Sequence, residues 1–326
     1  LFPGRARLPF GEDQARAYNL SLFDLDAMFA SHQIAAQTAD DFRVALIGDS
    51  SVWGTLLTPP QTLAGQLESS IAGACAHPAR VYNLGYPTLS LTKDLLILDR
   101  ALAYDPDLII WLTTLEAFPR SRQLESPIVA NNPRAVRHLI ARYRLSLDPQ
   151  DPAFVEPSFF DRTLIGRRRA LADLLRLQVF GIPWAATGID QTYPDTYPPA
   201  QVDLQPDASF YDLTPPTLDE SRLALDVLTA GVNAAGAGRV VIVNEPMLVS
   251  RGANSDIRYN FFYPRWVYDQ YRDLMQSLSA QNGWRYLDLW DIVPPEEFTN
   301  SAIHLSPEGT RLLAERLKPI ILEHCR

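Results

Sequence analysis

Short apolar runs alternate with helical patterns along most of the chain. Five runs are predicted to be strands, over residues 43–47, 80–84, 108–112, 238–244 and 284–287. Helices are predicted over about 60–73, 92–103, 217–235, 267–281 and 305–323, where apolar residues recur at helical spacing. A wholly apolar run such as 44–47 is typical of a strand that is buried on both faces. The alternation predicts right-handed crossovers and a parallel sheet, and therefore an α/β fold.

Two regions lie outside this pattern. Residues 1–40 are predicted to form an N-terminal arm that contains one short helix, over 21–30. Residues 119–237 form a large helical insertion, with helical patterns over 133–145 and 161–180 and Pro-rich loops around them. The remaining residues, 41–118 and 238–326, make up the predicted α/β domain. Because long loops of α/β folds overhang the sheet edge, we expect the insertion to be a lid or a substrate-selecting subdomain.

The second helix of the insertion has two interpretations. A basic cluster, Gly166-Arg167-Arg168-Arg169, precedes an apolar face that ends near Trp184. Such a helix could lie on an anionic membrane. The favoured alternative is a cap helix that packs its leucine face on the α/β domain.

Charge and cysteine content exclude several classes of function. The net charge of −9 argues against a nucleic-acid partner. Two cysteines cannot form a cysteine-based metal cluster, and the five histidines lack metal-ligand spacing, so neither a metal nor a cofactor is expected. The chain has no run of about 20 apolar residues. It begins at Leu1, and its opening resembles the segment that follows a removed signal or anchor helix. We therefore expect an extracytoplasmic or cell-envelope domain, with a membrane contact only through such an anchor; a cytoplasmic protein is the alternative.

Candidate chemistry lies at both ends of the α/β domain. Gly48-Asp49-Ser50 follows the first predicted strand, which places Ser50 at the carboxyl edge of the sheet near a helix N-terminus. Taken alone, this Ser could simply cap a helix. His304 lies in Phe298-Thr-Asn-Ser-Ala-Ile-His-Leu-Ser-Pro-Glu-Gly309, just before the last predicted helix. Gly85 lies in Val81-Tyr-Asn-Leu-Gly-Tyr86, directly after the second strand.

In order and spacing, these motifs resemble those of the SGNH (GDSL) hydrolases. The resemblance implies a flavodoxin-like three-layer α/β/α sandwich with a five-stranded parallel sheet of order 2-1-3-4-5. It also implies that Ser50 is the nucleophile and His304 its base, and that the N–H groups of Ser50 and Gly85 stabilise an oxyanion. Ser50 and His304 should then lie within hydrogen-bond distance or one water apart.

The sequence departs from the family pattern at two places. After the third strand the family carries Gly-x-Asn-Asp, whereas this chain has Thr113, Thr114 and Glu116 nearby; the Thr114 hydroxyl could donate to an oxyanion. Three residues before His304 the family carries Asp, and here Ser301 stands there with Asn300 beside it. Other groups could orient His304 instead: a backbone carbonyl, Asp291, Glu296 or Glu297.

Six polar residues are candidates for substrate contact. They are Asp49, Glu116, Asn244, Glu245, Arg258 and Tyr259. Asn244 and Glu245 follow the fourth strand at the edge where Ser50 is expected, although they could be a plain polar cap. Arg258 and Tyr259 belong to a stretch of aromatic and polar residues that suits a sugar or, equally, a well-ordered loop.

Two functions are consistent with these residues. The first is a serine esterase or acyltransferase that acts on a small-molecule or glycan acyl ester, such as an O-acetyl group, through Ser50 and His304. The second is a degenerate member of the family that binds a glycan or a protein partner without chemistry.

The strand order implied by the resemblance also bears on Cys75 and Cys325. In that order the helices that precede these two residues pack as neighbours on one face of the sheet, with their C-terminal ends close. An oxidising compartment would allow a disulfide between them. Two free thiols are the alternative.

Overall fold

The computed structural model describes residues 5–10, 23–35, 41–187, 191 and 193–326, and it has a five-stranded sheet. The strands are β1 (Phe42–Ile47), β2 (Ala79–Asn83), β3 (Leu108–Thr113), β4 (Val240–Asn244) and β5 (Arg285–Asp288). All neighbouring strands are parallel, in the order β2-β1-β3-β4-β5. The predicted α/β class, the five strands and their order are therefore confirmed.

Side chains of the inner strands alternate between two apolar clusters, one on each face of the sheet. Along β3, Ile109 and Trp111 point into the larger cluster, whereas Leu108, Ile110 and Leu112 point into the smaller one. This period of two is the pattern of a strand that is covered on both faces.

Helices cover both faces and complete the three layers. The smaller cluster lies beneath α3 (Leu63–Ile71) and α10 (Pro307–His324). The larger one lies beneath α4 (Leu91–Ala101), α8 (Leu225–Ala235) and α9 (Arg265–Asn282). The other helices of the described residues are α1 (Leu25–Ser31), α2 (Ser50–Trp53), α5 (Pro127–Ala130), α6 (Pro133–Tyr143) and α7 (Arg168–Thr187). None of the helices within the described ranges is both long and apolar enough to cross a membrane.

Two predicted helices begin later than the sequence pattern suggests. Residues 217–224 precede α8 and contain a short 3-10 turn, Glu220–Arg222, which the Asp219 side chain caps through the Ser221 N–H. Residues 161–167 precede α7, which then continues to Thr187 across Pro183. The Asp219 cap holds the first segment in a turn, and the Thr163 hydroxyl does the same in the second by accepting from the Gly166 N–H at 3.1 Å.

The N-terminal arm and the insertion share the larger apolar cluster with the sheet. Met28 from the arm and Ile128, Val136 and Leu139 from the insertion are buried in it. The predicted division into arm, α/β domain and insertion stays a prediction. The predicted helix over 21–30 falls partly outside the described residues, and the visible part is α1.

The C-terminal ends of α3 and α10 meet, as predicted. Cys75 and Cys325 form a disulfide with a Cα–Cα distance of 5.2 Å. The Ala76 N–H also donates to the Cys325 carbonyl at 2.9 Å. The predicted disulfide is therefore confirmed, although α3 ends at Ile71, four residues before the cysteine.

Candidate active site

The turn after β1 brings Ser50 to the carboxyl edge of the sheet. Gly48 starts the turn, and a Cβ atom there would lie 2.5 Å from Cγ2 of Val52, so a side chain would not fit. The Asp49 carboxylate then caps α2 by accepting from the Ser51 N–H at 2.8 Å. Ser50 is the first residue of α2, and N–H groups in a first helical turn have no acceptor within the helix.

His304 approaches Ser50 from the loop between β5 and α10. Its Nε2 atom lies 2.7 Å from the Ser50 Oγ. Its Nδ1 atom lies 2.7 Å from the Asn300 Oδ1. When Nδ1–H donates to this amide oxygen, Nε2 is free to accept the hydroxyl proton of Ser50. The predicted contact between Ser50 and His304 is thus present, and Asn300 selects the tautomer that it needs.

Asn300, rather than Ser301, orients the imidazole. The sequence left this open between the two residues, and the contact with Nδ1 distinguishes them. The difference follows from the turn, in which the Thr299 N–H donates to the His304 carbonyl at 2.8 Å and residue 300 faces the ring. Of the acidic alternatives, Glu297 instead accepts a hydrogen bond from the Ser306 hydroxyl.

Burial sets the charge state of His304. Removal from water lowers its pKa below 6.5, and the negative charge of Asp49 opposes this effect. The imidazole is therefore neutral near pH 7 and can accept a proton. Asp49, which was predicted to contact substrate, is 4% exposed; it instead caps α2, and its charge opposes the effect of burial on the pKa of His304.

Gly85 lies against α2, but its N–H already has a partner. It donates to the Asn83 Oδ1 at 3.0 Å, while the Asn83 Nδ2 donates to the Val52 carbonyl at 2.8 Å. A Cβ atom at Gly85 would lie 2.4 Å from the Trp53 nitrogen, so only glycine allows this approach. Its role as an oxyanion donor stays a prediction, and it requires the N–H to be shared with Asn83 or released.

The hydroxyl of Thr114 already has a partner within the protein. Its side chain is fully buried, and its hydroxyl donates to the Tyr263 hydroxyl at 3.0 Å. The hydroxyl therefore belongs to a cluster of buried tyrosines, and the predicted oxyanion role for Thr114 is wrong in this structure.

Four of the predicted substrate contacts are structural instead. Asn244 donates to Asp288 and accepts from Tyr268. Glu116 pairs with Arg122 and accepts from Tyr211, and burial raises its pKa. Both side chains are almost fully buried and bonded to other residues of the protein, so neither is available to substrate.

Arg258 and Tyr259 are the other two predicted substrate contacts that are structural instead. The guanidinium of Arg258 donates to five backbone carbonyls, among them those of Asp207 and Phe262. Tyr259 donates to Asp269 at 2.8 Å and packs edge-on against Trp290. The aromatic stretch is thus a well-ordered loop, which was one of the two interpretations open from sequence.

Glu245 is buried beside the turn that carries Ser50. Its carboxyl group accepts from the Ser51 hydroxyl, and the residue is 1% exposed. Burial and the nearby charge of Asp49 raise its pKa well above 4.5. It contacts the residue next to Ser50 and supports the turn. The prediction that Glu245 contacts substrate is therefore wrong.

A second buried pair, Lys93 and Asp94, supports the turn that begins at Gly48 and was not predicted from the sequence. The Lys93 ammonium donates to the Gly48 carbonyl at 2.7 Å and pairs with Asp94 at 2.5 Å. Both side chains are almost fully buried, and burial raises the pKa of Asp94 to about 6. Lys93 is one of only two lysines in the chain, and this rarity was its only signal in the sequence.

The Pro-rich part of the insertion borders the site on two sides. The Gln191 amide donates to the Leu57 carbonyl at 2.9 Å, just after α2. The Ala200 N–H donates to the Thr299 carbonyl at 2.7 Å, next to Asn300. The insertion is therefore tied to the segment after α2 and to the loop that carries His304. Among the described residues, no group of three or more His, Cys, Asp or Glu could hold a metal ion.

Comparison with known proteins finds similarity of fold only. No family model matches the chain, and no curated relative matches it. A lipase/acylhydrolase from Enterococcus faecalis is 14% identical, with a TM-score of 0.42, over 87% of this chain and 97% of that one. A carbohydrate acetylesterase family member from Sinorhizobium meliloti is 13% identical, with a TM-score of 0.37, over 87% and 99%. A lipolytic protein of the G-D-S-L family from Veillonella parvula DSM 2008 is 10% identical, with a TM-score of 0.41, over 86% and 97%.

These values are low, so the fold is assigned from the strands and motifs of the chain itself. Its parallel sheet has the order β2-β1-β3-β4-β5. Gly48-Asp49-Ser50 follows β1, and His304 contacts Ser50 from the loop before α10. With this strand order and these motif positions, the chain has the fold of the SGNH (GDSL) hydrolases.

Proposed function

We propose that the protein is a serine esterase or acyltransferase that acts on a small acyl ester. The observation that carries this proposal is the chain of contacts Ser50–His304–Asn300, with both heavy-atom distances at 2.7 Å. A nucleophile that touches its base, which a third group orients, is the arrangement that activates a serine. Asn fills the third position in papain-like proteases, so a neutral residue there is compatible with acyl transfer.

The reaction proceeds in two steps. His304 Nε2 takes the Ser50 hydroxyl proton while Oγ attacks the ester carbonyl, and the imidazolium then gives this proton to the leaving alkoxide. Water releases the acyl group from Ser50 in a hydrolase, and an acceptor hydroxyl does so in a transferase. Asp49 stabilises the imidazolium through its charge, which is the role that a neutral Asn300 cannot perform.

The acyl donor in this proposal is an O-acetyl ester of a glycan in the cell envelope. The disulfide supports an extracytoplasmic location because such bonds persist in oxidising compartments. Insertion residues bonded to the segment after α2 and to the loop that carries His304 support a role of that region in substrate selection.

Catalytic degeneracy is the competing function. It is favoured by the Gly85 N–H that Asn83 engages and by the Thr114 hydroxyl that Tyr263 engages, because both reduce the donors available to an oxyanion. Loss of one such donor lowers rates by about 10²–10³ in a measured case. We therefore expect slow but detectable turnover.

Hydrolysis of p-nitrophenyl acetate and labelling by a fluorophosphonate distinguish the two functions. The wild-type protein should hydrolyse the ester and be labelled at Ser50, and Ser50→Ala should lose both properties. Ser277→Ala is the matched control, because Ser277 is exposed on α9. Equal activity of Ser50→Ala and wild type, or absence of labelling in the wild-type protein, would overturn the proposal.

A further inference from the structure

The insertion carries a ridge of exposed apolar side chains. They are Phe159, Phe160, Leu164, Ile165, Leu171, Leu175, Val179 and Ile182, hereafter the apolar ridge, and each is more than half exposed. Phe159 and Leu164 reach 88% and 92% exposure. Monomeric soluble proteins rarely expose so many large apolar side chains together, and such patches mark interaction surfaces.

The helical part of the ridge is one continuous stripe. Leu171, Leu175, Val179 and Ile182 follow one another at spacings of four, four and three along α7. Residues at these spacings lie on one face of a helix. Leu171 and Leu175 are 60% and 63% exposed, so these two leucines do not pack on the α/β domain. The expectation of a cap helix that packs its leucine face there stays a prediction.

Positive charge accompanies the apolar ridge, in a chain that is otherwise acidic. Residues 159–170 contain four arginines and one aspartate, a local net charge of +3, whereas the whole chain carries −9. Arg167, Arg168 and Arg169 stand at the beginning of α7, between the Phe159–Ile165 part of the ridge and its helical stripe.

We propose that the apolar ridge docks this protein on an anionic lipid surface. Aromatic and aliphatic side chains at the membrane interface, flanked by arginines that meet lipid phosphates, are the pattern of an interfacial helix. The charge argues for this partner, because an acidic protein needs a local basic patch to approach a negative surface. A helix of 20 residues is about 30 Å long and would lie in the plane of the interface.

Vesicle co-sedimentation of the full chain tests this surface. Wild-type protein should sediment with vesicles of equal parts phosphatidylcholine and phosphatidylglycerol, remain in solution with phosphatidylcholine alone, and be released partly by salt. The double variant Leu171→Glu/Leu175→Glu should lose most of the binding, and Arg167→Gln/Arg168→Gln should reduce it several-fold. Val202→Glu is the control, because it places one negative charge of the same kind on an exposed apolar residue of the insertion outside the ridge.

Four results would overturn the inference. They are failure of the wild type to bind the anionic vesicles, equal binding of the Leu171→Glu/Leu175→Glu variant, equal loss of binding in Val202→Glu, and vesicle-free self-association that the ridge variants abolish. The far-UV circular dichroism spectrum of each variant shows that it is folded. Ser50→Ala should bind vesicles like wild type, so the result of this test does not depend on the proposed chemistry.

Discussion

At the scale of single residues, the partner of the His304 imidazole on its Nδ1 side is the amide of Asn300, four residues before it. Asn300 holds the Nδ1 side of His304 but contributes no negative charge to the imidazolium that forms during acyl transfer. The negative charge that acts on the ring is that of Asp49, which opposes the effect of burial on the pKa of His304. The orienting contact and the nearby negative charge therefore come from two different residues, Asn300 and Asp49.

Substitution of Asn300 tests this division of roles. Asn300→Asp should raise kcat/KM for p-nitrophenyl acetate by about tenfold or more, with the roughly 10⁴-fold loss that the reverse change causes in a Ser-His-Asp protease as the ceiling. Asn300→Ala should lower kcat because the imidazole loses its orienting contact. Unchanged kinetics in both variants would show that Asn300 does not act through His304.

The pH profile gives a second measure of the same residues. Because burial lowers the pKa of His304, the wild-type activity should be full at neutral pH and fall only as the pH drops through a value below 6.5. A carboxylate at position 300 stabilises the imidazolium, so Asn300→Asp should move this acidic limb to higher pH. A limb that stays in place, measured as kcat/KM against pH, would contradict the assignment of His304 as the base.

At the scale of elements, the nucleophile turn and α2 are braced by segments that are distant in sequence. The Arg7 guanidinium donates to the carbonyls of Trp53, Gly54 and Leu57 and lies 4.3 Å from the centre of the Trp53 ring. Asn83 and Lys93 hold the same turn from β2 and α4. The N-terminal arm therefore acts as part of the site's scaffold.

Removal of the Arg7 side chain should show this coupling. Arg7 is 1% exposed, so Arg7→Ala leaves three carbonyls without their charged donor and should lower the free energy of unfolding by about 2–4 kcal/mol. Arg7→Lys should recover only part of this loss, because an ammonium cannot reproduce the guanidinium fork. Arg134→Ala, on an exposed position of α6, is the control for urea denaturation.

A fall in kcat/KM should accompany the lost stability of Arg7→Ala, since α2 begins with Ser50. An Arg7→Ala protein as stable and as active as Arg134→Ala would refute the scaffold role of the arm.

Strands and helices could be predicted from the sequence because they produce periodic patterns of apolar residues. Contacts made by a single side chain produce no such pattern and could not be predicted. The sheet followed from apolar runs such as 108–112, and the pairing of Ser50 with His304 followed from motif order. Arg7 and Lys93 gave no periodic signal, because each acts through backbone carbonyls that sequence does not mark. Arg258 was misjudged for the same reason: its polar partners are carbonyls of its own loop and of residues 207–209.

At the scale of the whole molecule, the disulfide joins a segment near the start of the α/β domain to the end of the chain. It closes a loop between positions that are 250 residues apart and ties the end of α10 to the segment after α3. These two helices cover one face of the sheet together. The bond therefore restricts the unfolded chain over nearly all of the α/β domain and the insertion.

Its removal should weaken the fold and leave the chemistry intact. In the chain-entropy model, a loop of this size stabilises the native state by about 5 kcal/mol, and native-state strain often reduces the gain to 2–4 kcal/mol. The double variant Cys75→Ala/Cys325→Ala should lose a free energy of unfolding in this range, measured by urea denaturation. Ser50 and His304 lie at the opposite, carboxyl edge of the sheet, so hydrolysis of p-nitrophenyl acetate at 25 °C should stay within about twofold of wild type, the usual effect of a distant change.

Dithiothreitol should destabilise the wild-type protein to the same extent and have no effect on the double variant. Equal stability of the two proteins, or two titratable thiols in the non-reduced wild type, would contradict the bond and remove its support for an extracytoplasmic location.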